Sequence, residues 1–444
     1  AIAILVVLTA PQIPAASAEP SAAELLSGPY VIAPRTDGAT VCWQTVGAAP
    51  GRVRYRPSGS AKWIEAAGRD ARFQAVSLTG LKPATAYQVE VLSGGTRLGA
   101  LTFGTAPLKL ESFTFYVYGD TRSNPRAHGA IAAGLAAEAR RRKQPTFVLT
   151  TGDLARYESD EDETAGQFFV PARPYLEIMP LVPLRGNHEC GADLFKKYFP
   201  APPRPPAEGN PDDFVVDYGS VRVVVLDQYG PARTGGPRMK WLADRLAEAA
   251  DRWRIVAFHE PMFSSGSHGP NGDWRDLIMP VLREGRVHAV FCGHDHDYER
   301  VKPQHGVTQF VTGGGGAPLR DIIEEPHAYS AKFQAVYHFM TVEVTPEKLV
   351  ATAHAYSPSG GKAFEVIDSV EIPRDCGWRS AKADVVDESA PRHTREVLYG
   401  LEPSPWRNAL KKWLMIGGIA LLALAIALKS VQIARHKPDA EAKS

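Results

Sequence analysis

Phe291-Cys292-Gly293-His294-Asp295-His296-Asp297-Tyr298-Glu299-Arg300 is the stretch on which the reading of this chain turns. It continues an apolar run, Val287-His288-Ala289-Val290-Phe291, that reads as a buried strand ending in a turn at Gly293. Imidazoles two residues apart on an extended segment point the same way. Each is then able to offer a nitrogen to a different member of a close metal pair. Alone, His-x-His is weak evidence. Its weight depends on what other strand ends supply.

Four upstream strand ends supply partners, in one order. Phe115-Tyr116-Val117-Tyr118 runs into Gly119-Asp120-Thr121-Arg122, and Phe147-Val148-Leu149 into Gly152-Asp153-Leu154-Ala155-Arg156-Tyr157. Val182-Pro183-Leu184 runs into Gly186-Asn187-His188-Glu189, and Ile255-Val256-Ala257-Phe258 into His259-Glu260-Pro261. Singly, Asp120 is a turn residue, Asn187 a cap and His259 a satisfied polar group. Five such ends along one edge of an α/β sheet are how such folds build sites. Two cations roughly 3.5–4 Å apart need a bridging anion, which a carboxylate supplies. Mixed oxygen and nitrogen donors suit Fe, Zn or Mn. Such a pair polarises a phosphoryl group and turns a bound water into a hydroxide nucleophile.

Around this core the chain has 444 residues, room for two or three domains, with 44% hydrophobic and 22% charged residues, as in an ordinary globular protein. A formal net charge of +1 gives no signal of nucleic-acid binding by bulk electrostatics. The apolar start, Ala1-Ile2-Ala3-Ile4-Leu5-Val6-Val7-Leu8, and Ala16-Ser17-Ala18 read as a truncated secretory signal over 1–18. Trp413 to Leu428 is an uncharged apolar run flanked by Lys411, Lys412, Lys429 and Arg435. It predicts a C-terminal transmembrane helix over 411–434, a tail over 435–444 and a stalk over 374–410. The expected location is therefore outside the cytoplasm, anchored to the cell membrane. Four cysteines, Cys42, Cys190, Cys292 and Cys376, lack zinc-knuckle spacing, and no disulfide pairing is assigned.

Residues 28–107 read as a small all-β domain. Short runs such as Thr40-Val41-Cys42-Trp43 and Gln88-Val89-Glu90-Val91 are separated by Gly, Pro and Ser. Leu81-Lys82-Pro83-Ala84-Thr85-Ala86-Tyr87 resembles the segment carrying the tyrosine corner of fibronectin-type sandwiches. No cluster of chemistry falls here, so a spacer and interface role is preferred to a binding role. From about 110 to 373 strands alternate with helices, the α/β pattern. Helices are expected at Pro125 to Arg140, Pro237 to Arg252 and Trp274 to Glu284.

The five blocks in this order resemble the calcineurin-like metallophosphoesterase superfamily. The β domain upstream and the Tyr298-Glu299-Arg300 ending resemble its purple acid phosphatase branch. The likeness covers roughly residues 28–373. It implies an α/β/β/α sandwich of two sheets and a dinuclear centre, Fe with Zn, Mn or Fe. It places Asp120 and His296 on metal one, Asp153 as the bridge, and Asn187, His259 and His294 on metal two. His188 would steady the phosphoryl oxygens or protonate the leaving group. The implied activity is acid phosphatase-like hydrolysis of phosphomonoesters. A phosphodiesterase or nucleotidase is the first alternative, and a non-catalytic surface-binding protein on this fold the second.

Metal one departs from the pattern. Arg122 stands where the superfamily often has a ligating His. Arg156 stands where purple acid phosphatases have a ligating Tyr, and Tyr157 comes one residue late. Either a local bulge brings Tyr157 to the metal, or metal one has fewer protein ligands. Arg122 is always charged and cannot ligate; phosphate binding and a salt bridge are its two roles in view. His268, in a small-residue loop, is a second candidate phosphate contact. The acidic run Glu158 to Glu163 reads as a solvated loop, and Gly313 to Gly316 as a tight turn.

Overall fold

The computed structural model describes residues 24–93, 95–157, 160–189, 194–200, 210, 212–321, 325–357 and 363–376. One compact unit comprises Ala1–Gln228 with Arg233–Thr394. A second comprises Tyr229–Ala232 with Arg395–Ser444, of which only residues 229–232 are described.

The chain opens with five strands: β1 (Leu25–Ile32), β2 (Gly38–Pro57), β3 (Ile64–Thr79), β4 (Ala86–Ser93) and β5 (Thr96–Gly104). The 20-residue β2 pairs along its length with β3, and its register slips between Gln44 and Ala49 and again between Pro50 and Arg52. Its first half also pairs with β1 and its second half with β4. The two halves close over one core of Val31, Val41, Trp43, Val53, Tyr87, Val89 and Phe103. The Tyr87 hydroxyl accepts from the Lys82 N–H at 2.9 Å, five residues upstream.

In the α/β region β6 (Phe113–Tyr118), α1 (Pro125–Arg142), β7 (Val148–Thr150), α2 (Glu161–Thr164), α3 (Val170–Leu176) and β8 (Leu181–Val182) come first, with a π-helical segment, Ala165–Phe169, between α2 and α3. Then follow α4 (Leu194–Tyr198), β9 (Phe214–Tyr218), β10 (Val221–Val225), α5 (Pro237–Ala247), β11 (Trp253–Ala257), α6 (Gly272–Glu284), β12 (Ala289–Cys292), β13 (Tyr298–Val301), β14 (Thr308–Thr312), β15 (Ser330–Gln334), β16 (His338–Val344), β17 (Lys348–Tyr356) and β18 (Phe364–Pro373). The first sheet runs β18-β17-β16-β6-β7-β8-β1-β2-β4-β5, with β3 on β2; the second runs β15-β13-β14-β12-β11-β10-β9. β6, β7 and β8 are parallel, as are β10, β11, β12 and β14. Parallel neighbours need a crossover, supplied by α1, by α2 with α3, by α5 and by α6, while β12 reaches β14 through β13.

The inner faces of the two sheets share one core, including Phe115, Val117, Phe147 and Leu149 from the first and Val223, Ile255, Phe291 and Phe310 from the second. Phe115 stacks on Phe147 at 5.0 Å and meets Phe291 edge-on at 6.3 Å. On the outer face of the first sheet, Ile131, Leu135 and Tyr175 of α1 and α3 pack on Tyr116, Tyr118 and Leu181. This is the expected layered sandwich. Asn124 caps α1 through Ala127 N–H, Pro125 occupies its first turn, and Arg140, Arg141 and Arg142 lie in its last turn, favourable against the helix dipole.

One expectation changes, at the C-terminus. The β unit joins the α/β region, because Ile32 of β1 pairs with Leu181 of β8 and so continues the first sheet. Among the described residues no helix is long and apolar enough to cross a membrane. The C-terminal transmembrane helix and single-helix anchoring at the cell membrane are therefore not upheld. The physical weakness of that expectation is length, since 16 uncharged residues rise about 24 Å against a hydrocarbon core of roughly 30 Å. Residues 411–434, 435–444, 1–18 and most of the stalk 374–410 lie outside the described residues.

Two predictions follow from packing. Phe115→Ala should lower unfolding free energy by about 3–5 kcal/mol in urea, the range for emptying a core aromatic site. His128 and His338 are fully buried, and burial pushes both down to about 4. Below the ordinary value of 6.5 the unfolded chain takes up protons that the folded chain refuses until about pH 4. Stability should thus fall as pH drops through that window, by about 3 kcal/mol per histidine. His128→Gln should flatten part of this acid limb in urea unfolding at pH 7 and 4.5.

Candidate metal centre

The site forms where strands of both sheets end. Asp120 follows β6, Asp153 follows β7 and His294 follows β12, with φ of 53°, 54° and 72°. Left-handed backbone is costly for residues with side chains and clusters at functional sites. Here it turns each side chain back over the sheet edge. Backbone bonds lock the ends together: Asp120 N–H donates to Gly152 O at 2.8 Å and Thr121 N–H to Asp153 O at 3.0 Å. Two glycines permit the crowding. A Cβ on Gly293 would lie 2.2 Å from Asp120 Oδ2, and one on Gly186 would lie 2.2 Å from Asp153 Oδ1.

Asn187, His259, His294 and Asp153 converge. Asn187 Oδ1 lies 3.0 Å from His259 Nε2 and 2.9 Å from His294 Nδ1, and those two nitrogens are 3.3 Å apart. Asp153 Oδ1 is 3.4 Å from His259 Nε2. His259 donates its Nδ1–H to Thr151 O at 2.7 Å, which leaves Nε2 with a lone pair aimed into the group. Lone pairs about 3 Å apart are what metal–ligand bonds of about 2.1 Å produce around one ion. The donor set fits a cation.

Asp120, Asp153 and His296 form a second group whose ligand atoms all lie within 4.8 Å of one another, and all three are buried. His296 donates Nδ1–H to Pro318 O at 2.7 Å, so Nε2 faces inward. Burial and the Arg122 charge hold His296 down at about 3, leaving it neutral. Arg122, 9% exposed, enters this group: Nε donates to Asp153 Oδ2 at 3.3 Å, and Nη2 lies 3.2 Å from His296 Nε2. It makes the salt bridge to Asp153.

Electrostatically the group calls for positive charge. Burial, and then the Asp153 carboxylate, push Asp120 well above the usual carboxylate range. Burial also works to raise Asp153, but His259, His188 and Arg122 more than offset it and hold it below its usual value. Positive charge beside Asp120 relieves it.

His188 donates its backbone N–H to Asp153 Oδ1 at 3.0 Å. Its Nδ1–H goes to Arg156 O at 2.7 Å, leaving Nε2 3.8 Å from Asp153 Oδ2 on a side chain 25% exposed. His268 lies beside the centre, its ring 4.3 Å from that of His294, with Nδ1 3.0 Å from Asp295 Oδ1. Tyr157 is not drawn in: it is 56% exposed, with the Arg156 guanidinium 5.1 Å from its ring centre. The acidic run is partly structural. Asp160 caps α2 through Glu163 N–H, and Glu161 accepts from Gln44 at 2.7 Å and Arg72 at 2.6 Å. The glycine run is a close passage, with Gly315 N–H on Gly119 O and Ala317 N–H on Asp120 O.

Two residues escape the sequence reasoning. Glu189 is buried and accepts from the N–H groups of Asp153, Leu154 and Gly186, pinning the second strand end to the third. Burial and Asp153 push it up to about 8. It stands inside a quoted block, but its three backbone donors are visible only in the fold. Arg320 reaches His268 Nε2 at 2.5 Å from the far side of the glycine run, and no motif marks it.

Residues 113–298 match the model of the calcineurin-like phosphoesterase family. These residues thus form a calcineurin-like phosphoesterase domain. Relatives and structural neighbours support its purple acid phosphatase-like branch. It is 26% identical over 314 residues to the tartrate-resistant acid phosphatase type 5 of Mus musculus, covering 60% of this chain and 92% of that one. An uncharacterised protein of Mycobacterium tuberculosis is 29% identical over 279 residues, covering 53% of this chain and 52% of the relative. This metallophosphoesterase thus spans about half the length of the mycobacterial relative. The purple acid phosphatase PPD1 from yellow lupin (Lupinus luteus) seeds shares the fold, with a TM-score of 0.65 and 17% identity over 78% of this chain and 74% of that one.

Glu189→Gln should lower ion affinity about 10–100-fold, the range for residues that orient ligands. Ion retention after dialysis against a weak chelator checks this.

Proposed function

We propose that this chain hydrolyses phosphomonoesters in the manner of acid phosphatases, using bound metal. The observation that carries it is the convergence of Asn187 Oδ1, His259 Nε2, His294 Nδ1 and Asp153 Oδ1, with the other ring nitrogen of His259 committed to backbone. A hydrogen-bonded core has no use for so many inward lone pairs. The relatives' printed activities support the same reaction class.

Bound there, the metal supplies Lewis acidity toward a phosphoryl oxygen and acidifies a water. Asp153 is the carboxylate shared between the two donor groups. Asp120 and His296 line the first group, and Asn187, His259 and His294 the second. His188, its Nδ1–H held on Arg156 O, is in its imidazolium form the proton donor to the leaving oxygen through Nε2–H. His268, against the His294 ring, and Arg320, hydrogen-bonded to His268, are the groups for the non-reacting phosphoryl oxygens. The β unit is a fibronectin-type module in an interface role, supported by the Tyr87 hydroxyl bond and by the Arg72 and Gln44 contacts to Glu161.

Hydrolysis of p-nitrophenyl phosphate and of its bis-ester, before and after chelation, tests the reading. Monoester turnover that disappears with chelator and returns with metal is expected. Turnover of the bis-ester alone would point to a diesterase, and no turnover with either would sink the enzyme. Asp153→Asn should abolish activity and shed metal. His188→Ala should lower kcat by about 10²–10⁴ with metal retained.

A further inference from the structure

We infer that the Arg122 guanidinium stands in for the first metal ion, so that the chain holds a single tightly bound ion, on Asp153, Asn187, His259 and His294. The inference rests on the phosphohydrolase reading and specifies its cofactor.

The lone pairs decide it. His296 spends Nδ1–H on Pro318 O, so Nε2 carries its one lone pair. That lone pair accepts from Arg122 Nη2 at 3.2 Å. One lone pair cannot serve an N–H and an ion together. Asp153 Oδ2 also accepts from Arg122 Nε, at 3.3 Å, which sets the guanidinium on that side of the carboxylate, while Oδ1 faces His259. The resembled enzymes put a neutral or anionic ligand where this chain puts a permanent cation. Tyr157 offers no replacement, being turned to solvent.

Charge agrees with geometry. Asp120 and Asp153 bring two negative charges and Arg122 returns one positive. One divalent ion overcompensates the remainder. A second would sit against both the first ion and the guanidinium, in surroundings where like charges a few ångströms apart repel strongly. The Arg122 guanidinium is hydrogen-bonded to Asp153 Oδ2 and His296, whereas Asn187 Oδ1, His259 Nε2 and His294 Nδ1 converge on one another at 2.9–3.3 Å, so the ion belongs there. The Arg122 side chain cannot simply swing clear. It is 10% exposed, and its backbone N–H is held on Asp153 O at 3.3 Å.

The test counts ions. The wild-type chain is saturated with Mn²⁺, freed of excess by gel filtration, and assayed for metal per chain and by electron paramagnetic resonance. One ion per chain with the spectrum of an isolated Mn²⁺ is expected. Arg122→His, which restores a ligand, should carry two ions and give the spectrum of an exchange-coupled pair. Two coupled ions in the wild type overturn the inference by themselves, whether or not the variant folds. A folded Arg122→His that still holds one ion overturns it too. Two ions with phosphomonoester turnover intact defeat this inference alone. No ion and no turnover defeat the phosphohydrolase reading as well.

Discussion

Everything in the site depends on holding a buried carboxylate, Asp153, at the end of a parallel strand. Its side chain is 1% exposed and its backbone is left-handed, two conditions that each disfavour folding. The surroundings answer both. Glu189 binds the N–H groups of Asp153 and Leu154, Arg122 and His188 bind its oxygens, and Asp120 and Thr121 are hydrogen-bonded to the same turn. The strand ends are thereby one mechanical piece. Asn187, one residue from His188, and His259, tied to Thr151, cannot move independently of Asp153.

The same dependence explains Arg122. A pair of buried carboxylates at 0% and 1% exposure requires compensating charge in any folded state. An ion provides that charge reversibly, and an arginine provides it permanently. Replacing a ligand by arginine therefore alters the site's demand for metal as well as its ligand count. This is more than a conservative change of polar residue, because the guanidinium consumes lone pairs that an ion would use.

The β unit bears on this chemistry through the sheet. β1 prolongs the sheet that carries Asp120 and Asp153, and Tyr30 on its outer face packs 4.9 Å from Phe169 at the end of the π-helical segment. Arg72 and Gln44 hold Glu161 in the segment that follows Asp153. One end of the site loop is thus braced by the opening strands. That accounts for a run of acidic residues which, on composition, reads as solvated loop.

The periodic features were legible from residues alone. Apolar runs ending in Asp, Asn or His located β6, β7, β8, β11 and β12 within a residue or two, because buried parallel strands must be continuously apolar. The order of the blocks carried the superfamily, and the departures at Arg122 and Arg156 were visible as departures. The β13–β15 and β18 strands were not, since the first three are four or five residues long and the ten-residue β18 mixes polar and apolar positions without a clear period. Nor was the role of Glu189, which is made by backbone donors from three positions. What sequence by itself determined is which residue types stand at the strand ends and hence the class of chemistry. Only the tertiary structure decided which lone pairs meet, that Tyr157 faces solvent, and that Arg122 pairs with Asp153 and His296. Such choices depend on the left-handed turns and on contacts between residues 31 and 174 positions apart, which no local pattern encodes.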